Sequence, residues 1–279
     1  MSQQVSLFPE PNIVLNIKPS NTDATIKDAD TPHFIAYNPT IKQGNLLLFL
    51  PGTGGIASKG PKKLFSVALL QGYRVINLSY INTPAIAQVC RRKNLRDNAD
   101  CAKEFREKRI FGTGNFSLIE DQKQDAIANR LTKLLVYLSK TDVDGNWSYY
   151  LNEDHKLDWD KIAVSGQSQG GGMAAFIAKR NLVARVIDFS GGWDYSKVNK
   201  IATWYNEKSI TPPEVWYGTY HAKEANATTI RESYEAMKIP EDNIFVFDLE
   251  VPEGRRAHSN GVRNINYINY WIKALGKGN

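Results

Sequence analysis

The stretch Ile162-Ala163-Val164-Ser165-Gly166-Gln167-Ser168-Gln169-Gly170-Gly171-Gly172-Met173-Ala174-Ala175 decides how this chain folds. An apolar run of strand length leads into Gly-x-Ser-x-Gly, and a string of small residues follows, as expected of a helix that starts tight against a sheet. Glycine two positions to either side of Ser168 suits a sharp strand-to-helix turn, because a side chain there would collide with neighbouring backbone. Such a turn lifts a serine hydroxyl out of the sheet and presents it as a nucleophile.

Outward from this turn, strand-like runs fall at Ile13 to Ile17, His33 to Tyr37, Leu46 to Leu50, Val75 to Leu78, Ile162 to Ser165, Val186 to Phe189, Val215 to Tyr217 and Ile244 to Phe247. The first two suggest an antiparallel start. The remainder alternate with helical segments, which predicts an α/β fold with a mostly parallel central sheet and helices on both faces. The clearest helix is read from about Leu118 to Leu138, with Ile127, Leu131, Leu134, Leu135 and Leu138 at helical spacing and Ser117 and Glu120 as a capping box. A chain of 279 residues holds one large core, so residues 1–279 are read as a single domain. One stretch breaks the alternation: about 80–116 is polar, charged and weakly periodic. It is read as an insertion at the sheet edge, either a solvated excursion or a cover over a site.

A serine nucleophile attacking an acyl carbonyl needs amide donors for the developing oxyanion, one of them from the residue after the serine, here Gln169. The second is sought after an early central strand. Leu48-Phe49-Leu50-Pro51-Gly52-Thr53-Gly54-Gly55 is a strand ending in a glycine-rich turn, with Thr53 the first choice of donor. No Gly-Lys-Ser/Thr follows it and no Gly-x-Gly-x-x-Gly opens a helix there, which disfavours a phosphate loop. Of the four histidines, His258 lies latest, in the segment Pro252 to Gly261 read as a loop before a C-terminal helix from about Asn264 to Leu275. In the order nucleophile, acid, histidine, that is where the general base belongs. The acid that orients it should follow a strand after Ser168. Two carboxylates qualify, Asp194 after Val186 to Phe189 and Glu224 after Val215 to Tyr217, while His221 occupies the position nearest the second strand end.

These segments resemble a group within the α/β-hydrolase superfamily that carries Leu-Pro-Gly-Thr-Gly-Gly, a Ser-Gln-Gly-Gly-Gly elbow and Phe-Ser-Gly after the next strand, here Leu50 to Gly55, Ser168 to Gly172 and Phe189 to Gly191. The likeness runs from about Asn38 to Trp271 and includes both cysteines. It implies the α/β-hydrolase fold and a serine hydrolase with a Ser-His-acid triad and an acyl-enzyme, acting on a small-molecule acyl substrate. A carboxylic ester is the default; amide, thioester and acyl transfer to an alcohol use the same apparatus. The group's Tyr-Gly-x-x-His-x-x-Asp pattern falls on Tyr217, Gly218, His221 and Glu224, which ranks Glu224 above Asp194. The sequence departs from the group by glutamate at 224 and by Gln167 where histidine is common. The rival class is a binding protein that keeps the fold without catalysis.

Other features narrow the classes. The net charge of +6 is concentrated partly in Arg91 to Arg109, where acids are interleaved. Without aromatic interleaving or zinc spacing, nucleic acid is not the expected partner. No apolar run approaches the roughly 20 residues of a membrane span. No metal or organic cofactor is implied by any His/Cys cluster. Cys90 and Cys101 stand at a spacing that suits either a small disulfide loop or two free thiols. Met1-Ser2-Gln3-Gln4-Val5 lacks the basic start and apolar stretch of a secretory signal, setting the expectation of an unexported, cytoplasmic chain; a bridge between the cysteines would argue for an oxidising compartment. Trp193, Trp204, Tyr205 and Tyr220 are candidates for an acyl pocket or for plain core.

Overall fold

Leu46, Leu48 and Leu50 pack into one buried cluster while Leu47 and Phe49 pack into another, so a single strand faces two cores. This is the signature of a sheet covered on both sides, and each such fully buried side chain contributes about 1.5–3 kcal/mol. The computed structural model describes residues 12–197, 200–251 and 256–278. The expectations drawn from Met1 to Val5 lie outside the described residues.

In chain order the strands are β1 (Ile13–Ile17), β2 (His33–Tyr37), β3 (Leu46–Leu50), β4 (Arg74–Asn77), β5 (Ile162–Gln167), β6 (Arg185–Phe189), the short pair β7 (Tyr195–Lys197) and β8 (Lys200–Ile201), β9 (Trp216–His221) and β10 (Ile244–Phe247). The helices are α1 (Pro19–Thr22), α2 (Lys62–Leu70), α3 (Ile86–Val89), α4 (Arg92–Asp97), α5 (Cys101–Phe111), α6 (Ile127–Thr141), α7 (Gln169–Arg180), α8 (Ala227–Ala236), α9 (Ala257–Arg263) and α10 (Ile268–Leu275). Eight strands form one sheet in the order β1-β2-β4-β3-β5-β6-β9-β10. Only β2 pairs antiparallel with its neighbours on both sides; every pairing from β4 to β10 is parallel. The predicted fold class, with its antiparallel start, is what the chain adopts. Helices α5 to α8 contribute to the core on one face, and α2, α9 and α10 to the core on the other. After β3 the chain goes first to β4 on one side and later to β5 on the other. The carboxyl ends of β3 and β5, where Leu50 pairs with Gly166, are therefore the switch point at which α/β sheets open a crevice.

Two stretches ahead of β5 depart from the sequence reading. The long helix starts at Ile127 rather than near Leu118, which is 45% exposed. Lys108 Nζ donates to the carbonyls of Phe116 and Ile119, and Arg109 and Arg130 hold Asp121 and Asp125, so the residues before Ile127 are bound to side chains instead of winding into the helix. The stretch 80–116, read as an insertion, is not a solvated excursion. It forms α3, α4 and α5 and buries Ile86, Leu95, Phe105 and Ile110 in the core that α7 shares. Its polarity misled because Arg106 and Arg109, almost fully buried, are neutralised by Asp194 and Asp121. Cys90 and Cys101 are joined by a disulfide across α4. Closing a loop of this size restricts the unfolded chain by about 3 kcal/mol in the chain-entropy model.

Candidate active site

The turn between β5 and α7 is as tight as the glycine spacing predicts. A side chain at Gly170 would overlap the Leu50 carbonyl, and one at Gly166 would overlap the backbone of Gly170. Ser168 takes φ 59° and ψ −124°, a conformation L-residues rarely adopt, and its N–H is anchored to Phe189 O on β6 at 2.8 Å. Among the described residues its hydroxyl has no hydrogen-bond partner.

The segment containing His258 differs from the loop expected for Pro252 to Gly261. Residues 252–255 lie outside the described residues, and His258 stands on the first turn of α9. Gly261 reads as a breaker in sequence. In place, its missing side chain lets the Phe247 ring pack against it, and its carbonyl accepts Trp271 Nε1 at 2.8 Å. The C-terminal helix α10 follows a turn of 3-10 helix at Ile265–Tyr267.

His258 Nδ1 lies 2.6 Å from Glu224 Oε2. The Glu224 side chain is 2% exposed and its other oxygen is fully engaged, accepting Ser190 Oγ at 2.7 Å and the His221 N–H at 2.7 Å. His221 braces this end of β9: its Nδ1 accepts the Lys223 N–H at 3.1 Å, so Nε2 carries the proton and donates to Leu249 O at 2.9 Å. The histidine that fills the expected acid position is thus a strut for the glutamate three residues on. Gln167 Nε2 donates to the His258 carbonyl at 3.2 Å, which ties α9 to the residue before Ser168, and the Trp193 ring lies 4.8 Å from the imidazole. With Nδ1 committed to Glu224, His258 Nε2 has no hydrogen-bond partner among the described residues.

Asp194 is placed differently. Arg106 grips it through Nε and Nη2 at 2.6 and 2.8 Å, and Trp204 Nε1 adds a third bond at 3.0 Å. The structure brings Glu224, and not Asp194, to His258. Asp188, in β6, is a further buried carboxyl; burial pushes it up to about 7 although it accepts the Gly191 N–H. Trp204 and Tyr205 are fully buried core and Tyr220 nearly so, leaving Trp193, half-buried, as the one of the four aromatic candidates beside His258.

Gly52 lies against the turn: a Cβ there would come 3.2 Å from Ser168 Cβ. Thr53 follows it in an exposed turn closed by Gly55 N–H to Gly52 O at 2.9 Å, and the Thr53 N–H has no acceptor among the described residues. The Gln169 N–H, at the first position of α7, is likewise unpaired. Sequence reasoning passed over four contributors: Ser190, Asn82, Arg106 and the Gln169 side chain. Asn82 and Ser190 each lie just past the carboxyl end of a central strand, and that location was the available signal. No group of three or more His, Cys, Asp or Glu side chains is arranged to hold a metal ion among the described residues. No described helix is long and apolar enough to cross a membrane.

No protein-family model and no curated protein matches the chain. Solved structures do. Esterase B from Lactobacillus rhamnosis superposes with a TM-score of 0.52 at 10% identity, covering 96% of this chain and 87% of that one. An esterase from Pyrococcus furiosus gives 0.50 at 12%, covering 95% and 90%. Together with the sheet order, these likenesses establish the α/β-hydrolase fold.

Proposed function

We propose that this protein is a serine hydrolase that cleaves a carboxylic ester of short acyl chain. The observation that carries the reading is the 2.6 Å contact of His258 with a buried glutamate, on a helix hydrogen-bonded to the residue before a strained serine. His258 Nε2 takes the proton of the Ser168 hydroxyl as Oγ attacks the ester carbonyl, and the N–H groups of Thr53 and Gln169 hold the oxyanion, each contributing about 3 kcal/mol. Glu224 holds the imidazole in the tautomer that accepts at Nε2 and stabilises the imidazolium that forms. The imidazolium protonates the leaving alcohol, the carbonyl–oxygen bond breaks, and an acyl-serine remains. Water then gives its proton to His258, attacks the acyl carbon, and the acid departs as Ser168 regains its proton.

An ester is favoured as the bond because the two structures described above are esterases and an ester is the easiest acyl substrate for this apparatus. Short chains are favoured because the recess that adjoins His258 through Trp193, lined also by Ile86, Ala87, Cys90, Ala102, Asp194 and Tyr195, has a volume of about 10 Å³. That is room for about one water-sized group. The test is covalent labelling of the folded protein by a fluorophosphonate, with Ser168→Ala as control, followed by turnover of esters, amides and thioesters. Labelling at Ser168 and fastest turnover of acetyl esters are expected. Folded protein that fails to label would instead be a binding protein on this fold.

A further inference from the structure

The turn Thr53-Gly54-Gly55 is exposed and rich in glycine, and within itself it is closed by a single hydrogen bond to Gly52. An oxyanion donor, by contrast, must be held before the reaction begins, since reorienting it during the step would forfeit its contribution. Something outside the turn has to fix it. Among the described residues, the hydrogen bonds that reach these three residues from elsewhere come from one side chain: Asn82 Oδ1 accepts the Gly54 N–H at 3.1 Å and Asn82 Nδ2 donates to Gly55 O at 2.8 Å. The two bonds address adjacent residues in opposite senses, one as acceptor and one as donor, which an amide side chain does and a carboxylate or hydroxyl does less well.

The backbone of Asn82 is tied to the other donor. Gln169 Nε2 donates to Asn82 O at 2.9 Å, and Gln169 Oε1 accepts the Ile86 N–H at 2.8 Å. Gln169 is 95% buried, and Arg109 Nη1 holds the same segment from its far side through Pro84 O at 2.7 Å. Tyr80, two residues before Asn82, donates to Pro51 O at 2.7 Å, next to Gly52. One residue therefore links the turn that carries the Thr53 N–H to the residue that carries the Gln169 N–H, although the two lie on different strand ends.

We propose that Asn82 is the positioning residue of the oxyanion donors: it sets the distance between the Thr53 and Gln169 amides by gripping the first turn with its side chain and the second residue with its carbonyl. This rests on the serine-hydrolase reading. Asn82 touches no reacting atom. Its loss lets the turn drift, and a displacement of about 1 Å costs about 100-fold in rate.

The experiment compares wild type, Asn82→Ala and Asn82→Asp, with fluorophosphonate labelling at Ser168 checked on a separate aliquot of each wild-type preparation. Hydrolysis of 4-nitrophenyl acetate gives kcat and KM, an aryl trifluoromethyl ketone that forms a tetrahedral adduct with serine gives Ki, and thermal unfolding gives Tm. For Asn82→Ala we expect kcat to fall about 100-fold with KM within about twofold, and Ki to rise by the factor that kcat/KM falls. Tm should stay near wild type because Asn82 is only half-buried. Asn82→Asp is isosteric and keeps the acceptor for Gly54 while opposing the Gly55 carbonyl; it should show the same split, and it decides the matter should the alanine variant not fold. Wild-type kcat in these variants, or a lost kcat with Ki unchanged, overturns the positioning role while labelled wild type leaves the hydrolase reading standing. A folded wild type that does not label overturns both.

Discussion

Replacing Glu224 by glutamine changes one atom and should nearly abolish turnover. Oε1 of Glu224 accepts from the backbone N–H of His221 and from Ser190 Oγ, while Oε2 faces His258 Nδ1. The His221 N–H can only donate, so in Glu224→Gln the amide oxygen must stay on that side and the NH2 group must face the imidazole. His258 Nδ1 then becomes an acceptor, and the ring proton moves to Nε2, the atom that must take the serine proton. A wrong tautomer in an otherwise intact site lowers kcat by about 10⁴, or about 5.5 kcal/mol of barrier. The fold should be little affected, because the volume and two of the three hydrogen bonds are retained. Asp194→Asn serves as the contrast. There Arg106, with a side chain 1% exposed, loses its counter-charge in the core, and breaking such a buried pair costs about 3–5 kcal/mol of stability. The assay is kcat on 4-nitrophenyl acetate alongside urea unfolding of both variants. Glu224→Gln should lose activity at unchanged stability, and Asp194→Asn stability first. Should Glu224→Gln keep more than about a tenth of wild-type kcat, the tautomer argument is refuted.

Two further outcomes concern the frame around the site. Gly170→Ala places a methyl group against the Leu50 carbonyl in the middle of the sheet, so soluble, cooperatively unfolding protein should not be recovered; a folded variant seen by circular dichroism would mean that the turn has more room than the backbone packing allows. His33 is buried and its Nδ1 accepts the Ser79 N–H at 2.9 Å, and burial, reinforced by the charge of Arg130, pulls its pKa down to about 3. Its folded value lies below the unfolded value, so its neutral form favours folding above about 6.5 and that advantage is lost as pH falls towards 3. The stability difference between wild type and His33→Asn, measured in urea, should therefore shrink by about 2 kcal/mol between about pH 8 and about pH 5, and a difference independent of pH would contradict the assignment.

The fold was largely legible because it rests on local periodicity. Four strands, at Ile13–Ile17, His33–Tyr37, Leu46–Leu50 and Ile244–Phe247, fall on their sequence-derived bounds, β4, β5, β6 and β9 start within one residue of theirs, and the short pair β7 and β8 was not anticipated. The strands at Ile162 and Val215 run further at their carboxyl ends than their apolar residues suggest, since Gly166-Gln167 and Gly218-Thr219-Tyr220-His221 interrupt the apolar run without ending the strand. What local pattern misses is pairing between distant charges. Helix α5 was unreadable because Arg106 and Arg109 look like surface residues until Asp194 and Asp121 are set beside them. The same blindness kept two carboxylates in contention for His258: chain order admits both Asp194 and Glu224, the motif resemblance ranks Glu224 first, and their partners separate them. Asn82 and the Gln169 side chain went unnoticed because their work is done across 87 residues of sequence, through amide groups that carry no charge or period.

The third glycine after the serine turn has a consequence for how this protein relates to others of its fold. A Cβ at Gly172 would lie 2.8 Å from the Arg106 guanidinium carbon, within a group that cannot retreat because Asp194 holds it. Gly172 is thus a seat for an arginine arriving from α5, and the triple glycine records a dependence between two stretches far apart in the gene. Among descendants of a common ancestor, positions 106, 172 and 194 should change together: a lineage that loses the arginine is released to place alanine at 172, and one that keeps it is not. For the engineer, the segment from α3 to α5 is therefore no exchangeable module, since transplanting it alone into a related scaffold would bring the arginine without its niche.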